Sequence, residues 1–280
     1  MTRRTRLIAT LAILIATAFL CVAQNRGNRG RRQSETYRGG VPEWQNESAF
    51  KKDVFTFVRI KYPSTRGWYG MDKWRIDFRD ADLNLSFRLQ QLTSLKVDPE
   101  AKVLELTDPE LFDYPWIYIV EPGDMDLAED EVSCLRRYLL NGGFLMVDDF
   151  WGEREWMNFY EQIKRVFPGR EPVELSMDHP IFHSVFDIKL EKNQMQVPNV
   201  QLGEQSQYNG GVTWERSDAR DVHFRAIFDD KNRMMVMICH NTDNGDGWEQ
   251  EGVYEYYFRE FSEKKSYPLA INIIFYAMTH

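Results

Sequence analysis

The stretch GGFLMVDDFWGE, residues 142–153, decides how the rest of the chain is read. Phe144 to Val147 are continuously apolar, as a strand buried on both faces requires, and they run directly into two adjacent carboxylates, Asp148 and Asp149. Upstream, Val132, Leu135 and Leu139 recur on one helical face. Asp126 and Glu129 are spaced as a capping box there, and Asn141-Gly142 makes a C-terminal stop. Downstream, Trp156, Tyr160, Ile163 and Phe167 recur at helical spacing until Pro168-Gly169. Helix, buried strand, helix is the repeating unit of a mostly parallel sheet covered on both faces.

The same alternation extends outward. VFTFVRI (54–60), KVLEL (102–106) and WIYIV (116–120) read as strands, the last apolar enough to be buried on both sides. Residues 80–96 fit both a two-residue and a helical period, and their Leu, Gln and Arg content behind a leading Asp predicts helix. FRAIF (224–228) and RMMVMICH (233–240) read as paired strands, and 267–279 as a mostly buried closing helix. Residues 189–222 are polar and are expected to run over the surface. The predicted fold class is α/β, a three-layer sandwich with a mostly parallel sheet.

Three segments are expected. Residues 1–23 have the layout of an export signal: Arg3, Arg4 and Arg6, an apolar run from Leu7 to Leu20, then Cys21-Val22-Ala23 as a small-residue cleavage site. The apolar run is shorter than the ~20 residues a spanning helix needs. Residues 24–45 form a flexible basic linker that carries Arg26, Arg29, Arg31, Arg32 and Arg38 and almost no apolar side chains. Residues 46–280 form a single domain. The whole chain has a formal charge of −8. Removing three arginines with the signal leaves 32 basic against 43 acidic residues, and from Gly39 onward the balance is 27 to 42. Such a domain repels nucleic acid. Cys134 lies in a helical pattern and Cys239 in a strand pattern, so both read as small core residues.

In open α/β sheets, ligands bind beyond the carboxyl ends of the strands. Arg66, Trp68 and Tyr69 follow the first predicted strand, and Glu121 follows WIYIV. Asp148, Asp149 and Trp151 follow FLMV, and His240, Asn241, Asp243 and Asp246 follow MMVMIC. All are expected on one rim. Two adjacent buried carboxylates need a cation, donors or water, since an unpaired one costs several kcal/mol. Arg66 and the N-terminus of the helix from 153 are candidate partners. Alternation sends the two acids to opposite faces, so one of them capping that helix is an equally good account. As hard-cation ligands, Asp148, Asp149, His240 and Asp243 would suit a divalent metal. HNTDNGDGWE fails the EF-hand frame at Gly245 and Asp246. Cys134 lies on no strand-to-helix elbow, and His179 and His183, with Pro180 between them, read as loop histidines that cap or pack.

Two functions are therefore carried forward. In the first, an exported envelope domain without catalysis or cofactor binds a small polar ligand or an envelope protein at an acidic, aromatic rim that includes Trp248. It meets the membrane only through its export signal. In the second, a metal-assisted hydrolase uses Asp148, Asp149, His240 and Asp243 with a divalent ion.

The strings LLNGGFLMVDDFWG, DHPIFHSVFDI, FRAIFDD, MMVMICHNTDNGDGWE and LAINIIFYAMTH, in this order, resemble the bacterial domain-of-unknown-function family 4159 from about Val54 to His280. The resemblance implies a class I glutamine amidotransferase-like fold, a flavodoxin-like α/β sandwich, and exported or membrane-tethered proteins with no established activity. It implies no glutaminase chemistry here, because no cysteine occupies a nucleophile elbow and a shared fold does not fix function.

Overall fold

Three segments with no polar face form the middle of the sheet. The computed structural model describes residues 40–47, 53–64 and 72–280, so the expected signal, most of the linker, and Arg66, Trp68 and Tyr69 lie outside the described residues. The chain divides after Pro42, and the domain described here is Glu43–His280. Strands β3 (Trp116–Val120), β4 (Phe144–Asp148) and β7 (Met234–His240) are buried at every position. Around them lie β1 (Val58–Lys61), β2 (Lys102–Glu105), β6 (His223–Phe228) and β5 (Val173–Glu174). The order is β2-β1-β3-β4-β7-β6-β5, parallel from β2 through β7, with β6 antiparallel to both of its neighbours, β7 and β5. This is a three-layer α/β sandwich with a mostly parallel sheet.

Helices cover both faces. On one face α1 (Asp80–Leu92), α5 (Asn244–Glu249) and α6 (Tyr267–Thr279) pack on Trp116, Tyr118, Met146 and Met237. On the other, α2 (Glu129–Leu140) and α3 (Gly152–Val166) pack on Ile117, Ile119, Val147 and Ile238. The alternation of β3 thus feeds two separate cores, which is why its five residues are all apolar or aromatic. A π-helical stretch, Phe258–Ser266, leads into α6, and α4 (Val200–Gln205) is a short helix within the 189–222 segment.

Three local expectations shift. The N-cap of α2 is Ala128 instead of Asp126, and it carries only the backbone half of a capping box: its N–H donates to Glu131 Oε2 at 2.8 Å. On α3 the fully buried stripe is Phe159, Ile163 and Val166, with Trp156 and Tyr160 at its border. The 189–222 segment is not all surface. Met195 to Pro198 are buried, because Val197 bonds both Thr242 Oγ1 (3.0 Å) and the Asp243 N–H (2.8 Å) beside the end of β7.

One buried ion pair fixes how α1 meets the sheet. Arg59 on β1 is 0 % exposed and grips Asp82 on α1 through Nε and Nη2. Its Nη1 donates to the carbonyls of Trp74 (3.1 Å) and Ile76 (2.8 Å), which holds the segment that delivers Lys73 and Asp77 to the strand ends. Removing one partner strands a buried charge, so Arg59→Met should lower unfolding stability by about 3–5 kcal/mol, read from urea denaturation. Pairing it with Asp82→Leu should recover most of that loss. A single-variant loss under ~1 kcal/mol would contradict this role.

Candidate functional site

The two adjacent acids at the end of β4 have different jobs. Asp148 turns under α5, where its carboxylate accepts from Asn244 N–H (2.8 Å), Asn244 Nδ2 (2.8 Å), Gly245 N–H (3.1 Å) and the Tyr118 hydroxyl (3.3 Å). Burial pushes it up to about 7, and the hydrogen bonds pull the other way. Neither acid caps α3. The first amides of that helix are met by Asn241 Oδ1 on Gly152 N–H (2.8 Å) and Asp218 Oδ2 on Glu153 N–H (3.0 Å). Glu155 Oε2 takes the Trp151 N–H (2.7 Å). Asp149 follows in a left-handed conformation (φ 56°), which Asp tolerates better than most residues. That turn sends its side chain away from Asp148 and toward the rim, where Oδ1 accepts from Trp151 Nε1 at 2.9 Å.

There Asp149 borders a cavity of roughly 440 Å³. The loop after β1 contributes Lys73 and Asp77, the end of β3 Glu121, and the end of β7 Asp243 and Asp246; Glu155 of α3 and Glu215 complete the acidic wall. The cavity lies at the carboxyl ends of the parallel strands, where the order reverses between β1 and β3, the place such sheets use for ligands.

Seven carboxylates line this space against two cations, Lys73 and Arg216. Both cations are already engaged. Lys73 pairs with Glu121 and lies 3.7 Å from Asp124, and Arg216 bonds Glu155 at 2.5 Å. Among the described residues no cation comes within ion-pair distance of Asp77, Asp149, Asp243 or Asp246. Burial first, then neighbouring carboxylates, drives Asp77, Asp149 and Asp243 well above the usual carboxylate range. Burial likewise lifts Glu121 and Asp246 to about 7. Two like charges 4 Å apart at a partly buried site repel by ~4 kcal/mol, so the cluster must hold protons or a counter-charge.

Among the described residues, the structure brings Glu121, Asp149, Trp151, Asp243 and Asp246 to the cavity and leaves the other expected rim residues elsewhere. His240, one residue beyond Cys239, points to the opposite face of the sheet. Its Nε2 lies 3.2 Å from Gly152 O, its ring packs 5.3 Å from Trp156, and burial pushes it down to about 3. The predicted quartet of Asp148, Asp149, His240 and Asp243 is therefore split. Asn241 is scaffold, bonding Gly152 N–H and Asp221 O (2.7 Å). Trp248 belongs to the core against Tyr118, 0 % exposed, and not to the rim. His179 accepts the Ile181 N–H and His183 pairs with Asp187, so both cap or pack. Sequence reasoning missed Lys73, Asp77, Glu155 and Glu215. Asp77 had one available signal, its place just ahead of the helix that follows β1.

A family model described as Domain of unknown function (DUF4159) matches residues 56–278. No curated protein matches the chain.

The division of labour between the adjacent acids is measurable. Asp148→Asn turns an amide NH2 toward converging donors and should cost roughly 1–3 kcal/mol in chemical denaturation. Asp149→Asn keeps the left-handed backbone and the acceptor for Trp151, and it relieves a crowded set of charges. It should change stability by less than ~0.5 kcal/mol or raise it. A larger loss at Asp149 than at Asp148 would reverse the assignment.

Proposed function

We propose a function for this chain, which belongs to the DUF4159 family: it is an exported envelope domain that binds a positively charged ligand in the acidic cavity at the carboxyl ends of its sheet. The observation that carries this reading is the excess of carboxylates over cations in that cavity, with both local cations already consumed by Glu121 and Glu155. A cationic group answers that excess better than a stacked sugar or peptide does. Trp248 is in the core, and Trp151 is 3 % exposed with its indole N–H held by Asp149, so neither offers an open aromatic face. Export is supported by the charged, apolar and small-residue order of residues 1–23. Binding without catalysis is supported by the cysteines. Cys239 is enclosed in β7, where burial pushes its thiol up, and Cys134 sits on α2 away from the cavity. The hydrolase reading draws on His240, which does not share a face with the carboxylates.

Thermal unfolding of the full chain at low ionic strength tests this, since salt would screen the attraction. Spermidine should raise Tm by several degrees where citrate at the same concentration does not, and Asp149→Asn or Asp243→Asn should remove most of the shift. An equal shift in the variants, or none in the wild type, would count against the cavity as the binding site.

A further inference from the structure

The cavity contains a set of oxygen atoms arranged as a coordination site. Asp77, Asp149 and Asp243 each offer one carboxylate oxygen, and the three lie within 4.8 Å of one another. All three residues are buried, at 7 %, 7 % and 5 % exposure, and all line the cavity. An octahedral ion with oxygens at roughly 2.1–2.4 Å separates neighbouring ligands by ~3.0–3.4 Å and opposite ones by ~4.2–4.8 Å, so a single ion can reach all three.

A second observation points to a ligand. Asp77 Oδ2 is buried and has no hydrogen-bond partner. A buried carboxylate oxygen left that way is costly and rare. The chain makes room for it: a Cβ on Gly245 would come within 2.2 Å of Asp77 Oδ2, so a side chain there would displace the carboxylate. Asp149 and Asp243 each use only Oδ1, for Trp151 Nε1 and for the Asp246 N–H. Among the described residues no hydrogen bond reaches their second oxygens. Lys73 and Arg216, which could have neutralised the three, are held by Glu121 and Glu155.

We propose that Asp77, Asp149 and Asp243 bind one divalent hard cation, with its remaining coordination positions open to the cavity; this rests on the reading of the cavity as a site for positive charge. The ligands are oxygen alone, with no imidazole or thiolate, which selects the magnesium, calcium and manganese class over zinc or copper. The neighbouring trio of Asp77, Asp246 and Glu249 is the poorer choice. There Asp246 and Glu249 are only partly buried, so they are better solvated without an ion, whereas all three members of the preferred trio are buried.

Isothermal titration of the full chain, stripped with EDTA and returned to metal-free buffer, tests the site with magnesium, calcium and manganese chlorides in turn. The expected result is one equivalent of at least one of these ions, with affinity at least tenfold weaker in both Asp149→Asn and Asp243→Asn. Asn keeps the left-handed turn at 149 and caps α5 as well as Asp does at 243, so both variants should fold, which circular dichroism verifies. Binding that survives in both variants but is lost in Asp246→Asn overturns the assignment in favour of the neighbouring trio. No binding of any of the three ions, with the wild-type spermidine shift intact, overturns the metal site and leaves the broader reading standing. Loss of both signals overturns both.

Discussion

A single buried carboxylate ties the cavity edge of this domain together. Asp148 ends the central strand β4 and is held by the amides of Asn244 and Gly245, which start α5 at the far end of β7. Burying that charge is costly unless donors converge on it, and here four do. The bond clamps the ends of two parallel neighbours, so the loop after β7 lies against the loop after β4. The chain must then leave Asp148 by a sharp left-handed turn, and that turn places Asp149 beside Asp243 instead of beneath α5. Gly245 serves both sides of this junction: its N–H meets Asp148, and its missing side chain leaves room for Asp77.

From this constraint the cavity's charge follows. The loops after four strands, β1, β3, β4 and β7, converge on one rim, and each brings carboxylates. Lys73 and Arg216 satisfy the outer ones, Glu121 and Glu155, and the inner ones are left with only partial hydrogen bonding. An interior this acidic is expensive for the fold, which is the usual mark of a site kept for binding instead of for stability. Arg59 acts one layer back, holding the Trp74–Ile76 backbone so that Asp77 arrives at a fixed place.

Much of the architecture was legible in the sequence, for identifiable reasons. The strands WIYIV and FLMV are apolar at every position, which only a sheet covered on both faces demands, and the helical periods around them are long. The motifs spread from Val54 to His280 anticipated the family that the match over 56–278 shows. At the site, Glu121, Asp149, Trp151 and Asp243 were legible because strand ends in a parallel sheet share a rim. His240 was misread because strand period two puts it on the face opposite Cys239, against Trp156. Trp248 was misread because the loop before it is short, and the first turn of α5 carries it into the core. Glu215 was invisible, since its approach to the cavity depends on tertiary contacts between segments far apart in sequence, and Asp77 offered only its place just ahead of α1.

The central claim is that Asp148 builds the rim while Asp77, Asp149 and Asp243 use it to hold a cation. Anomalous X-ray scattering from crystals soaked in manganese chloride tests this most directly. The account predicts one strong peak among these three carboxylates, roughly 2.0–2.5 Å from an oxygen of each, with Asp148 still bound to Asn244 and Gly245. A peak coordinated by Asp148, or an empty cluster in which Lys73 has swung from Glu121 to bridge the three acids, would contradict it.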